Sequence, residues 1–335
     1  MKNFNLGIIG CGAVVEIIHL PALERIPEIN VKGLVDINMN RTQELKNKFG
    51  LINADTFKDY KELLRSDEID MVLIATPPKT HSKIIIDSLE SNKHIYCEKP
   101  LATSIQEIDR IKQTLNKCDQ EIKLMVGYNF RFQPHYIKIK DLLNKNYVGK
   151  IISSNIHFLS NITNWPTISK FQFSPGEGGV IFDTGIHCID LSRWLLGEVV
   201  KVYSHMGTYS LDIQVEDTAT LFLKHENDIN SIIHLSWFAP SIHSIMVVGN
   251  EGCLTTTMDL DHIKASKTDL IKNKWYLISL RSFPPLSSYQ QAYTHFIDCV
   301  KNNRNILASV DQSRRNMEIM FAAYESFKNN KWQNV

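Results

Sequence analysis

No apolar stretch of this 335-residue chain is long enough to cross a bilayer. The longest, Leu6 to Val15, is about half the required length and stops at Glu16. It holds Gly7, Gly10 and Gly12 and follows no basic segment, so it makes a poor secretory leader. Charge of one sign is also missing. Lys plus Arg number 37 against 36 Asp plus Glu, a net +1, which argues against nucleic acid or an anionic membrane surface as partner. The six cysteines, Cys11, Cys97, Cys118, Cys188, Cys253 and Cys299, are scattered and form no CxxC, which argues against a disulfide or zinc framework. They read as reduced thiols of a cytoplasmic protein. There is no internal repeat and no low-complexity tract. What remains is a composition of 43% hydrophobic and 22% charged residues, typical of a soluble globular protein, at a length that favours two domains.

The first third alternates strand and helix. Strands are expected at Phe4–Ile9, Val31–Val35, Met71–Ala75, His94–Cys97 and Lys123–Gly127. Helices are expected at Ala13–Arg25, Met39–Phe49, Lys58–Arg65, Thr80–Ser91 and Ser104–Lys117. Met71–Ala75 carries almost no polar residue, as a strand covered on both faces should. Repeated βα order implies right-handed crossovers and a doubly wound parallel sheet. After a helix near His135–Leu143 the pattern changes to period-two segments: Ile151–Leu159, Val199–Thr208, Thr218–Lys224, Ser231–Trp237, Ser244–Gly249, Cys253–Thr257 and Lys274–Ser279. Loops such as Gly249-Asn250-Glu251-Gly252 suggest an antiparallel meander. Helices at Tyr289–Lys301 and Asp311–Lys328 end the chain. The expected architecture is α/β over 1–125, a dinucleotide-binding Rossmann domain. An α+β domain with a large, mostly antiparallel open-faced sheet follows over 126–335.

Gly10-Cys11-Gly12-Ala13-Val14-Val15 follows the first strand and opens the first helix, the context a dinucleotide fingerprint requires. Gly10 permits the tight turn, and Gly12 lets a pyrophosphate approach the helix N-terminus at Ala13 and Val14. Val15 replaces the usual third small residue. Asp36 ends the second strand, 24 residues beyond Gly12 (36 − 12). A carboxylate there accepts from an adenosine ribose and repels a 2′-phosphate, so NAD is expected over NADP; otherwise Asp36 only caps the next helix. Thr76 and Pro77, with His81 at the following helix start, and Glu98-Lys99-Pro100 lie at expected strand ends on the ligand edge of the sheet. Lys before Pro is disfavoured in helical geometry, and an X-Pro bond can be cis.

The segment GGVIFDTGIHCIDLSRWLL, Gly178 to Leu196, reads as a buried helix, yet carries Asp183 and His187 four residues apart on one face. They are either a satisfied structural pair or groups delivered to a ligand. Asp190 shares their face, but no further His or Cys pair is near, and no metal is expected. Asn129 and Arg131 in GYNFRF, Trp165 and Tyr289 are candidate substrate contacts. Each has a structural alternative in a turn, an ion pair or packing.

The segments GCGAVVEIIHLPAL, ATPPKTHSKI, HIYCEKPLA, GYNFRF and GGVIFDTGIHCIDLSRWLLG resemble, in order and spacing, the Gfo/Idh/MocA oxidoreductases, the glucose–fructose oxidoreductase and inositol dehydrogenase relatives. Glu177-Gly178-Gly179 replaces the usual triple glycine, and Trp165-Pro166 stands where relatives often have Trp-Arg. The resemblance implies an NAD(P)-dependent dehydrogenase of a sugar, cyclitol or sugar derivative, with Lys99, Asp183 and His187 around the reacting carbon. His187 suits the base role near neutral pH, Asp183 would orient it or hold a hydroxyl, and Lys99 would polarise the substrate oxygen. Lys99 serves equally as the base if desolvation lowers its pKa. The resemblance further implies a homodimer or homotetramer through the C-terminal sheet. A catalytically silent dinucleotide-binding regulator and a dehydrogenase of a non-carbohydrate remain the alternatives.

Overall fold

The computed structural model describes residues 3–118, 121–257, 261–267, 274–280 and 287–335. The chain divides into two compact units. The first is Met1–Tyr128 with Pro166–Ile168 and Tyr289–Arg314; the second is Asn129–Trp165 with Ser169–Ser288 and Arg315–Val335.

In the first unit β1 (Phe4–Ile9) leads into a helix over 13–23 that contains a π-helical turn, Val15–His19, and ends in α1 (Leu20–Leu23). β2 (Ile29–Val35), α2 (Met39–Lys48), β3 (Asp55–Phe57), α3 (Tyr60–Leu64), β4 (Met71–Ile74), α4 (Pro78–Glu90), β5 (His94–Cys97), α5 (Ile105–Leu115) and β6 (Leu124–Val126) follow. The sheet order is β3-β2-β1-β4-β5-β6, all pairs parallel, as in a dinucleotide-binding fold. Leu6, Ile8 and every residue of β4 are buried, which is why these strands read as continuous apolar runs. Asn38, Asp59 and Ser104 cap α2, α3 and α5 by accepting from the first-turn N–H groups of Asn40, Lys61 and Glu107. β3 was not anticipated; at three residues on the sheet edge it carries too little pattern to read.

The second unit opens with a 3₁₀ turn, Asn129–Phe132, then α6 (Pro134–Asn144) and β7 (Ile151–Asn161). A second π-helical turn, Ile181–Gly185, runs into α7 (Ile186–Leu196). Strands β8 (Val199–Gly207), β9 (Thr218–His225), β10 (Asn230–Ser236), β11 (Phe238–Gly249), β12 (Gly252–Thr257), β13 (His262–Lys267) and β14 (Lys274–Ser279) complete most of a nine-stranded sheet. The chain finishes with α8 (Ser288–Lys301), α9 (Val310–Asn329) and the edge strand β15 (Gln333–Asn334). The order is β14-β13-β12-β11-β7-β10-β9-β8-β15. The expected meander holds for β11 to β14, but β7 inserts between β10 and β11 and pairs parallel with β10. β13 went unread because its inward residues, Ile263 and Ala265, give a weak apolar alternation.

Tyr289–Arg314 belongs to the first unit, which corrects the expectation of one continuous domain over 126–335. The reason is packing. The Tyr293 hydroxyl bonds to His19, its ring stacks on Tyr96 at 4.8 Å, and Val126 N–H donates to the Ala308 carbonyl.

Candidate active site

The first unit gathers its polar groups at the carboxyl ends of β1, β2, β4 and β5. Gly10 has φ +94°, and a Cβ there would meet the Ala75 carbonyl oxygen at 2.6 Å, so only glycine allows this turn against β4. At Gly12 a Cβ would meet nothing within 4 Å, which leaves the approach to Ala13 and Val14 open. Val15 is fully buried and packs in the fingerprint's third position. The Asp36 carboxylate accepts from Cys11 N–H and Asn38 N–H, both at 2.8 Å, so it is fixed beside the loop. Burial and then the Asp36 charge push the Cys11 thiol up to about 12, which makes it inert. Sequence reasoning missed Arg41. Its Nε donates to the Cys11 carbonyl at 3.3 Å, while Glu16 and Glu44 each hold the guanidinium at 2.6 Å. A cation therefore does stand by the loop, already balanced by two carboxylates.

Thr76 and Pro77 follow β4 and Glu98 and Lys99 follow β5, on the same sheet edge; Lys99–Pro100 is cis. His81 is buried, with Nε2 2.7 Å from the Thr76 carbonyl and Nδ1 2.9 Å from the Pro100 carbonyl. It clamps the two loops. Glu98 is likewise turned inward. Its Oε1 lies 3.0 Å from His19 Nε2, and its Oε2 accepts from Lys99 N–H at 3.2 Å. Burial raises the Glu98 carboxyl, and the His19 hydrogen bond with the His19 and Lys99 charges more than offsets that, leaving it below its ordinary value. His19 in turn meets the Tyr293 hydroxyl at 2.8 Å, and Tyr289 packs edge-on against the His19 ring at 5.1 Å. The EKP lysine thus rests on a buried Glu98–His19–Tyr293 chain, of which the sequence showed only the first member.

In the second unit the π turn places Asp183 half-buried, with Oδ2 accepting from Gln172 Nε2 at 3.2 Å. His187, on the first turn of α7, stacks on Phe130 at 4.7 Å. Three residues further, Asp190 is fully buried. It takes a two-pronged hydrogen bond from Arg131, Nε to Oδ2 at 2.7 Å and Nη2 to Oδ1 at 2.6 Å, and one from Asn316 Nδ2 at 2.7 Å. Arg131 is therefore a structural partner of α7. Its fork pins the 3₁₀ turn whose Phe130 covers His187. Asn129 opens that turn, and its buried Oδ1 has no hydrogen bond among the described residues. Trp165 lines a groove of about 500 Å³ with Ser160, Asn161, Phe238, Ala239, Pro240 and Ser241. Among the described residues no cluster of His, Cys, Asp or Glu could hold a metal.

Two sequence profiles of one family match in the order the fold requires: the NAD-binding Rossmann fold of the oxidoreductase family over residues 4–128, and the GFO/IDH/MocA C-terminal domain over 136–255. The chain belongs to the Gfo/Idh/MocA oxidoreductase family. An uncharacterized oxidoreductase, YrbE, of Bacillus subtilis (strain 168) is 26% identical over 97% of this chain and 94% of its own. The myo-inositol 2-dehydrogenase of Thermotoga maritima is 28% identical over 68% of this chain and 67% of its own. Levoglucosan dehydrogenase in complex with NADH and levoglucosan superposes with a TM-score of 0.89 at 20% identity, covering all of both chains; at that identity the likeness is one of fold. This Gfo/Idh/MocA chain is thus an oxidoreductase-family member with an NAD(P)-binding Rossmann domain.

Proposed function

We propose that the protein is an NAD-dependent dehydrogenase that moves a hydride between the nicotinamide and a secondary alcohol or ketone of a sugar, cyclitol or sugar derivative. The observation that carries the cofactor half is Asp36, fixed by two backbone N–H groups beside a glycine turn left open at Gly12. Ala13 and Val14 would hold the pyrophosphate at the helix start, and Asp36 would hold the adenosine ribose. Arg41, balanced by Glu16 and Glu44, offers little to a 2′-phosphate, which supports NAD over NADP. Thr76 and Pro77 would border the nicotinamide end. The bound cofactor supplies the hydride chemistry.

The substrate half rests on the retained Lys99, Asp183 and His187 and on relatives named for inositol and levoglucosan oxidation. Lys99 polarises the substrate oxygen, and His187 takes the hydroxyl proton when the alcohol is oxidised and returns it in the reverse direction. Asp183 orients His187 or a neighbouring hydroxyl. Asn129 Oδ1 offers an acceptor to a substrate hydroxyl, with Trp165 and Tyr289 as further contacts. A second copy of the chain would cover the open face of the second unit's sheet, where Tyr203, Phe222, Met246 and the stacked His157–His234 pair lie. A homodimer or homotetramer is expected, and light scattering at micromolar concentration that finds a monomer would remove this part.

Lys99→Ala and His187→Ala test the roles. Each should lower turnover of the oxidised polyol about 10²–10⁴-fold while NADH fluorescence titration gives an unchanged dissociation constant. Wild-type turnover in either variant would remove that residue from the mechanism.

A further inference from the structure

Glu216 lies 35 residues from Ile181 in sequence, yet its Oε1 accepts the Ile181 N–H at 3.0 Å, on the first residue of the π turn that carries Asp183. The same oxygen accepts from the Tyr324 hydroxyl of α9 at 2.8 Å. Its backbone carbonyl takes the Val180 N–H at 2.9 Å, so both side chain and main chain of Glu216 close the helix start. Gly179 makes room for this. It has φ +103°, and a Cβ there would collide with the Glu216 carboxylate. The Gly179 carbonyl then accepts the Asp183 N–H at 3.0 Å, which connects the carboxylate's seat to the residue it aims. At the end of the same turn, Trp237 Nε1 donates to Thr184 Oγ1 at 3.2 Å, so the turn is held at both ends. A π turn is a less favourable helical geometry than the α form and persists where neighbours impose it.

We propose that Glu216, held by Tyr324, is a positioning residue that fixes the π turn and thereby the aim of Asp183 and His187. This rests on the reading of those two as the substrate-facing groups. Burial pushes the Glu216 carboxyl above its ordinary value, and what the turn uses is its acceptor oxygen rather than its charge. A glutamine keeps that oxygen; an alanine removes it.

The test compares Glu216→Ala, Glu216→Gln and Tyr324→Phe in the full-length protein. Glu216→Ala should lower kcat at least tenfold at saturating substrate with little change in KM, Tyr324→Phe should lower it a few-fold, and Glu216→Gln should restore most of it. NADH binding should stay within twofold throughout. The ring ¹⁵N signals of His187 in histidine-labelled protein give a readout that needs no substrate. They should shift in Glu216→Ala and stay at wild-type positions in Glu216→Gln. If Glu216→Ala does not fold, Glu216→Gln against Tyr324→Phe makes the same comparison. A folded Glu216→Ala with wild-type kcat and unmoved His187 signals overturns the proposal. A Glu216→Gln as impaired as Glu216→Ala overturns the acceptor role. Shifted His187 signals in a protein that oxidises no polyol would leave the positioning standing and remove the dehydrogenase reading.

Discussion

Two helices in this molecule are built alike and start differently. Both contain a π turn, Val15–His19 in the first unit and Ile181–Gly185 in the second. Each is tied to a buried charged partner further along: His19 to Glu98, and Asp190 to Arg131. The difference lies at the start. The first helix is left open at Gly12, with no atom where a Cβ would stand. The second is closed by the protein's own Glu216 carboxylate on Ile181 N–H. An open helix start presents its partial positive charge to an anion from outside; a closed one has spent that capacity and serves to hold side chains. The same element thus offers an open start in one unit, the proposed phosphate cradle, and a closed one that carries Asp183 and His187 in the other.

Removing an anchor of the second helix should have the largest effect. Arg131→Ala strands the Asp190 carboxylate in the interior and should cost about 3–5 kcal/mol in urea unfolding. A change below 1 kcal/mol, roughly the value of an exposed pair, would show that the fork does not hold α7. Filling the open start should act on the ligand alone. The Cβ of Gly12→Ala meets no protein atom within 4 Å, so thermal stability should hold, while NADH affinity falls about tenfold, or 1.4 kcal/mol. Unchanged affinity would break the contrast between open and closed starts. The smallest effect concerns pH. The Glu98 carboxyl sits below its ordinary value of 4.5 in the folded protein, so its contribution is present above that value and fades as pH falls through the lower folded one. The stability gap between wild type and Glu98→Gln should therefore be constant near neutrality and shrink in acid. A gap that widens in acid would reverse the assignment of Glu98 as the ionised partner of His19.

Much of this was legible in the sequence. The order of strands and helices, the glycine turn, Asp36 and the Lys99–Pro100 corner follow from local patterns that the fold preserves. Asp183 and His187 stand out because an apolar helix has no ordinary use for them. The π turns were not found, since 3.6- and 4.4-residue turns draw on the same residues over five positions. Nor were the supports. His19 and Glu98 lie 79 residues apart, Arg131 and Asp190 lie 59 apart, and Ile181 and Glu216 lie 35 apart. Only folding brings them within 3 Å. The same cause hid the partners of Arg131, His81 and Glu98: a charged or polar residue in a motif does not declare which way it faces.

The most direct test of the dehydrogenase activity is nicotinamide absorbance of the wild-type protein offered NAD, and separately NADP, with inositols, aldoses, sugar acids and nucleotide sugars. NADH should form with NAD and one class of these substrates, with a weaker response to NADP. No reduced nicotinamide with any of them, from protein that still binds NADH, would contradict that activity.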